Sequence, residues 1–417
     1  MPSVDPVLLS DARILAAYLI FLGSYIVFAV GTFPGLKIDR PGAAIIGAVL
    51  MVAFRIVGAQ EALASIDFGT IVLLFSMMLI AANLRLAGFF DWVTEWTIAR
   101  LRPHYLLPTV IAASGILSAF LVNDVICLVL TPLVLRMARR FGLPPVPYLV
   151  ALATASNIGS VATITGNPQN MLIGSLSGIP YVTFLRHLGP VAVAGLLLDW
   201  AVIHLLYLRG STDRVDVADA LADPVFRHEP LRRKPVVVLA IVLGGFLAGV
   251  PAALMAAIGG ALLLITRTVE PRKVYEEVDW GLLVFFVGLF VIVGGAGRAG
   301  LTSSLLHPIE AWDLHRLPVF VSVTALLSNL VSNVPAVMLL GTIVPSFPDP
   351  GAGWLALAMA STLAGNLTIT GSVANIIVVE RAAADGVELR FSEYFRVGLP
   401  VTAVTIVAGA AWVWLLT

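Results

Sequence analysis

Cysteine is nearly absent from this chain: Cys127 is the only one in 417 residues. A lone thiol excludes an internal disulfide and any cysteine-rich metal site. Charge is scarce as well, at 12% of residues against 59% hydrophobic. Soluble domains carry about a quarter charged residues and close to half apolar ones, so the shortage excludes an ordinary soluble domain. The charges that exist balance, 25 basic against 25 acidic, and no net field recruits nucleic acid or an acidic partner. Also missing are a Walker loop, Gly-x-Ser-x-Gly, His-Glu-x-x-His and any Asp-rich diphosphate motif. Nothing therefore points to an enzyme, a resident cofactor or a structural metal, and the sequence calls for no ATPase subunit.

What the chain has in abundance is long apolar runs. A helix crossing a bilayer needs about 20 mainly apolar residues. Plain spans are expected over 13–33, 41–58, 67–88, 181–208, 235–250, 252–267, 279–297 and 392–416. The first run is too long and too poorly flanked for a cleavable signal peptide, and reads as a spanning helix. Two regions differ. Residues 106–140 and 318–345 each consist of two short apolar arms, meeting at Asn123-Asp124 and Ser332-Asn333, and are expected to form re-entrant hairpins. Residues 146–178 and 352–380 could each cross once but are interrupted by Gly, Thr and Asn, as broken helices would be. The expected fold is an all-α polytopic membrane protein. It has about ten transmembrane crossings (eight plain helices and two broken ones) plus two re-entrant hairpins.

Charge orients this layout. With the N-terminus outside, roughly 20 of the 25 Lys and Arg fall on the cytoplasmic side, as the positive-inside tendency requires. Arg100, Arg102, Arg136, Arg139, Arg140, Arg227, Arg232, Arg233, Lys234, Arg272 and Lys273 are among them. Both termini are then extra-cytoplasmic in a bacterial-type inner (plasma) membrane. Residues 209–234, polar and without apolar periodicity, read as a cytoplasmic linker between an N-terminal part, 1–208, and a C-terminal part, 235–417.

These two parts correspond in order. Ile66-Asp67-Phe68-Gly69 matches Val278-Asp279-Trp280-Gly281, and Leu86-Ala87-Gly88-Phe89 matches Arg298-Ala299-Gly300-Leu301. Leu117-Ser118 and Asn123 match Leu327-Ser328 and Asn333, and Arg186 precedes Pro190 as Arg396 precedes Pro400. Most specific is Thr163-Ile164-Thr165-Gly166-Asn167-Pro168-Gln169-Asn170 against Thr368-Ile369-Thr370-Gly371-Ser372-Val373-Ala374-Asn375. Five matches in one order, at offsets between 205 and 212, indicate duplication. An odd number of crossings per half inverts the second copy. Inverted repeats with interrupted helices are a recurring transporter architecture, with the ligand site where the repeats meet.

Irregular backbone at membrane depth is tolerated only inside protein or beside a watery cavity. Two polar tips and two polar breaks thus point to one central site. A broken helix offers unpaired N–H groups, which favour anions. Asn123, Thr163, Thr165, Gly166, Asn167, Asn170, Ser332, Asn333, Thr368, Thr370, Gly371, Ser372 and Asn375 are the candidate substrate-binding residues. Asp124, the only acid at either tip, is the candidate carrier of a coupling proton or Na+, with Asn123 and Asn333 beside it. Each also has a plainer reading, as a helix cap or a small-residue packing contact. Asp67 and Asp279 read as N-caps, Arg186 and Arg396 as interfacial anchors, and Trp412 and Trp414 as belt residues. Asp199 and His204 have no counterpart in the other half, and read as a local pair or a proton path. No Arg or Lys lies on any of the predicted site elements.

Phe120-Leu121-Val122-Asn123-Asp124-Val125, the run Thr165–Ile173 and Ser332-Asn333-Val334-Pro335 resemble permeases of the ion transporter superfamily. That group includes citrate carriers, arsenite efflux permeases, sodium–proton antiporters and divalent anion–sodium symporters. The resemblance covers nearly the whole chain and is nearest to a bacterial anion-permease branch beside the arsenite permeases. It implies a secondary active transporter of a small anion or oxyanion, such as arsenite, antimonite or a di- or tricarboxylate. It further implies an elevator motion and coupling to Na+ or H+, with the lipid bilayer and the anion as partners. A homodimer, as among the dicarboxylate carriers, stands beside a monomer. Where divalent anion–sodium symporters have Ser-Asn-Thr at both tips, this chain has Val-Asn-Asp and Ser-Asn-Val. A cation–proton antiporter of the same fold, working through Asp124, is the alternative.

Overall fold

A computed structural model describes residues 10–31, 37–93, 102–208, 233–265, 269–301, 304 and 313–416. Most of the expected linker, 209–232, and Arg100 lie outside the described residues. Every described regular element is helical. In the first half these are α1 (Asp11–Val30), α2 (Arg40–Ala53), α3 (Ala59–Ser65), α4 (Phe68–Leu86), α5 (Leu106–Phe120) and α6 (Asn123–Arg140). α7 (Val146–Ser160), α8 (Pro168–Ser177) and α9 (Tyr181–Ile203) follow. The second half has α10 (Arg233–Leu247), α11 (Ala252–Leu264), α12 (Pro271–Glu276) and α13 (Trp280–Arg298). It continues with α14 (Leu317–Val331), α15 (Asn333–Leu340), α16 (Pro350–Ala364), α17 (Val373–Ala384) and α18 (Phe391–Leu416).

All eight plain runs are helices within a few residues of the expected ends. Residues 106–140 and 318–345 are helix pairs that meet at the polar tips, and 146–178 and 352–380 are each two helices with a break between. Among the described residues six segments are long and apolar enough to cross a membrane, and large apolar side chains such as Leu19, Leu197, Val407 and Leu415 stand exposed on their outer faces. The short helices α3 and α12 were not expected.

Helix starts are fixed by acids. Asp39, Asp67, Asp279 and Asp349 each accept a hydrogen bond from the backbone N–H three residues on, at 2.9, 2.6, 2.9 and 3.1 Å. Each satisfies an orphan donor and complements the positive end of its helix. Asp67 and Asp279 are thus the caps expected of them, and Asp67 also accepts from Ser175 Oγ at 2.8 Å.

The helices pack in two groups. In the first, α2 lies on α13 and α4 on α11, with α1 and α10 alongside. In the second, α5 packs on α7, α14 on α16, α6 on α17 and α9 on α18. Each group draws helices from both halves of the sequence. Close approach depends on glycine: a Cβ on Gly159 of α7 would lie 2.1 Å from the Gly115 carbonyl oxygen of α5. Small residues of this kind let helix backbones touch where lipid supplies no driving force for association. Two reciprocal ion pairs join the halves across the first group. Arg85, at the end of α4, meets Glu277 just before α13 at 2.5 Å, and Arg298, at the end of α13, meets Glu61 of α3.

Candidate functional site

The two breaks are built alike. Asn170, in the first turn of α8, donates through its amide to the carbonyls of Ser160 and Thr163, both at 3.0 Å. Asn375, in the first turn of α17, donates to the carbonyls of Gly365 and Thr368 at 2.8 and 3.0 Å. In each case one amide satisfies carbonyls left open where the first helix stops, so the break can be buried without stranded acceptors. Within the turns, Thr163 and Thr165 approach at 3.3 Å, and Thr368 and Thr370 at 3.4 Å. Asn167 caps α8 by accepting from the Asn170 N–H at 2.8 Å and donates to Ser160 Oγ at 2.8 Å. Gly166 and Gly371 belong to the same turns. A Cβ on Gly166 would sit 2.2 Å from the Ser160 carbonyl oxygen, and one on Gly371 would sit 2.8 Å from that of Gly365.

Each hairpin tip is tied to the broken helix beside it. The Asn123 N–H donates to the Gly166 carbonyl at 3.0 Å, and Ser118 Oγ meets Ser156 Oγ at 2.7 Å. At the other tip, Asn333 donates to Ser328 Oγ at 2.6 Å and reaches the Ser361 and Gly371 carbonyls at 3.3 Å. Ser328 Oγ donates to the Ser361 carbonyl at 3.1 Å. Ser332, between the arms, has φ +78° and ψ 157°, a region that side chains other than glycine's disfavour.

At the centre stands Asn157, buried on α7. Its oxygen accepts from Asn123 at 2.9 Å and from Ser372 at 3.0 Å. Its nitrogen donates to Asn366 at 2.9 Å and Asn375 at 3.0 Å. One side chain therefore joins the first tip, its own helix and the second break. Thr362, on α16, takes the equivalent place in the other half, receiving Asn167 and Gln169 at 3.3 Å each.

A cavity of about 320 Å³ opens beside this network. Of the expected site residues, Asn123, Asp124, Ser332, Asn333 and Ser372 line it. Thr163, Thr165, Gly166, Asn167 and Asn170 are instead fully enclosed and hold the first break together, with Thr165 meeting the Tyr181 hydroxyl at 3.0 Å. Thr368, Thr370, Gly371 and Asn375 shape the second break without lining the cavity, and Thr370 is exposed. The starts of α8 and α17 reach the wall through Pro168, Gln169 and Val373.

The opposite wall comes from the other group of helices: Asp39, Arg40 and Pro41 at the start of α2, and Asp279, Gly281, Leu282 and Phe285 of α13. Arg40 adds a guanidinium that the site elements themselves do not carry, and this corrects the expectation of a site without a basic residue. Its Nε donates to the Phe28 carbonyl at 3.0 Å, which holds it against α1. The polar wall thus carries one guanidinium and three carboxyl groups. Asp39 and Asp279 are engaged as caps, whereas the Asp124 side chain has no hydrogen-bond or ion-pair partner among the described residues.

Arg40, Asn157 and Asn366 were missed as site residues in the sequence. Arg40 immediately precedes the expected span 41–58 and stands in no motif or repeat match. Asn157 and Asn366 have Thr362 and Val161 at the corresponding repeat positions, so no duplication marks them. A lone Asn in an otherwise apolar, fully buried run was the only available signal.

A family model described as citrate transporter matches residues 25–364. An uncharacterized transporter of Mycobacterium tuberculosis is 30% identical, with 96% of this chain and 98% of that protein covered. The silicon efflux transporter LSI3 of Oryza sativa subsp. japonica is also 30% identical, over 90% of this chain and 92% of its own length. The putative transporter arsB of Dictyostelium discoideum is 27% identical, over 90% and 87%. Among solved structures, the Alcanivorax borkumensis YdaH transporter shares the fold, with a TM-score of 0.54 at 18% identity over 97% of this chain and 96% of that one. By its sequence match and its fold, this chain belongs to the citrate transporter family and is a transporter.

Proposed function

We propose that the protein is a secondary active transporter of a small anion or oxyanion, of the arsenite or antimonite class or a di- or tricarboxylate. One observation carries the reading: both hairpin tips, the starts of α8 and α17 and the Arg40 guanidinium converge on one cavity of about 320 Å³. Amide and hydroxyl groups at the tips suit an oxyanion's acceptors, the two helix starts favour negative charge, and Arg40 can pair with it. The family's citrate description and the silicon efflux and arsB names of the relatives support a small oxygen-rich solute.

Three carboxyl groups beside an anion site would repel it unless a cation or proton joins them. Asp124, unpaired on the wall, is the residue through which Na+ or H+ would couple. Alternating access would arise if the group containing the tips and breaks slid as a body past the group containing α2, α4, α11 and α13. The excess of carboxyl groups over guanidinium also favours the second reading, a cation–proton antiporter through Asp124.

Thermal unfolding of the purified protein separates the two. The panel is arsenite, antimonite, silicate, sulfate, phosphate, citrate and succinate, each with and without sodium at two pH values. A ligand at 100 times its dissociation constant adds about 2.7 kcal/mol to the native state. Stabilisation by one anion, lost in Asn123→Ala and Asn333→Ala and weakened in Arg40→Gln, is the expected result. Stabilisation by sodium or lithium alone, with no response to any anion, would select the antiporter.

A further inference from the structure

One acid lies apart from the cavity. Asp199, on α9, is fully buried, and neither carboxyl oxygen has a hydrogen-bond partner among the described residues. The Thr154 hydroxyl of α7 faces it but donates to the Val150 carbonyl at 2.9 Å. Tyr394, on α18, lies within its electrostatic reach, and the Tyr394 hydroxyl is likewise buried and unpartnered.

Among the described residues no positive charge pairs with Asp199: on its own helix Arg186 and His187 lie at the far end, and His204, the expected local partner, is exposed and stacks on Trp200 with ring centres 5.4 Å apart. Helices α5, α7 and α16, which pack against α9, contain no Lys, Arg or His. On α10 the basic residues are Arg233 and Lys234 of the first turn, and Lys234 donates to the Ile265 carbonyl. On α18 the charged neighbours of Tyr394 are engaged elsewhere. Glu393 accepts from the Arg390 N–H at 3.1 Å, and the Arg396 guanidinium lies 5.8 Å from the centre of the Tyr207 ring. Cys127 of α6 also lies near Tyr394.

An ionised carboxylate without a partner is among the most costly groups to enclose, and one added proton removes that charge. A hard metal ion would need about six oxygen ligands, whereas the neighbours here offer two hydroxyls. Among the described residues no cluster of three His, Cys, Asp or Glu could hold a metal. The surroundings therefore suit a proton and not a metal cation.

The helix is also irregular close by. Immediately after Ile203 the backbone changes to a π-helical turn over His204–Leu208, a rare form that recurs at functional positions. The Tyr207 hydroxyl of this turn donates to the Glu393 carbonyl at 3.2 Å. This contact ties the π-helical end of α9 to α18 one residue from Tyr394.

We propose that Asp199 is a proton-binding site, separate from the cavity, which takes up and releases one proton through the π-helical end of α9 with Tyr394 as its neighbouring hydroxyl. The transfer is a simple protonation: carboxylate plus a proton from water gives the neutral acid, and release reverses it. Asp124 is partly exposed on the cavity wall, so the two acids are distinct sites, and the proton site does not depend on what the cavity binds.

Infrared difference spectra of the purified full-length protein, taken between acidic and alkaline buffer, test this directly. The expected result is a pH-dependent carbonyl band of a buried carboxylic acid that shifts in deuterated water. It is lost in Asp199→Asn, kept in Asp124→Asn and displaced along the pH axis in Tyr394→Phe. A spectrum in which Asp199→Asn leaves every carboxyl band unchanged overturns the proposal, as does the absence of any pH-dependent buried band. If Asp199→Asn does not fold, a folded Tyr394→Phe protein with an unmoved titration midpoint overturns it equally.

Discussion

Single side chains decide whether the centre of this molecule can exist at all. Asn157 makes four bonds to side chains of three other elements, and removing it strands several buried groups at about 1–3 kcal/mol each. Asn157→Ala should therefore lower the unfolding midpoint of the purified protein by several degrees, more than Asn→Ala at an exposed position. Ser332 predicts the opposite sign. Its backbone strain costs on the order of 1–3 kcal/mol, so Ser332→Gly should raise the midpoint while weakening stabilisation by the cavity ligand, since the lost hydroxyl belongs to the wall. Residues were legible in the sequence where the repeat wrote them twice. Asn170 and Asn375 stand in matched octets and make matched bonds. Arg40 was not legible, because no local pattern says which helix start will turn toward a cavity assembled from distant segments.

At the level of elements, the hairpins and broken helices could be read because the bilayer forbids their irregular backbone anywhere but inside the protein. Polar residues in the middle of apolar runs therefore have few explanations. The lengths of the arms were less legible: α6 runs for 18 residues, through Pro132, whereas α15 runs for only 8 and stops at Gly341. The surface helices α3 and α12 are one or two turns long, too short to leave a periodic signal. Close backbone approach of α5 to α7, and within the first break, gives a sharp expectation. A methyl group at Gly159 or Gly166 would press into backbone at 2.1 or 2.2 Å, and backbone cannot swing aside as a flexible side chain does. Gly159→Ala and Gly166→Ala should abolish monodisperse protein in gel filtration, whereas Gly244→Ala, with open space around it, should behave as wild type. The Arg85–Glu277 pair is about one-third exposed on each side, so a double-mutant cycle should return a coupling below about 1 kcal/mol.

For the whole molecule, the proposed inversion of the second half has a direct consequence for sidedness. Cys127 is buried and has no exposed thiol to compete, so single cysteines can be introduced over a silent background. Arg140→Cys, at the end of the first hairpin, and Ser346→Cys, just after the second, both replace exposed residues. They should react with an impermeant maleimide from opposite faces of the membrane, Arg140→Cys from the cytoplasm and Ser346→Cys from outside. Labelling of both from one face would refute the inversion.

The bonds from Asn157 to Asn366 and Asn375 have a further consequence, in the time order of synthesis. They connect positions 209 and 218 residues apart, and a ribosome adding about 5–20 residues per second needs on the order of 10–40 s to bridge that gap. Throughout that interval the first half sits in the membrane with the amide nitrogen of Asn157 lacking both of its acceptors. Nascent chains stalled before residue 366 should accordingly be the form most readily extracted and degraded by membrane quality control. Completion of the second half would then act as the molecule's own certificate of assembly.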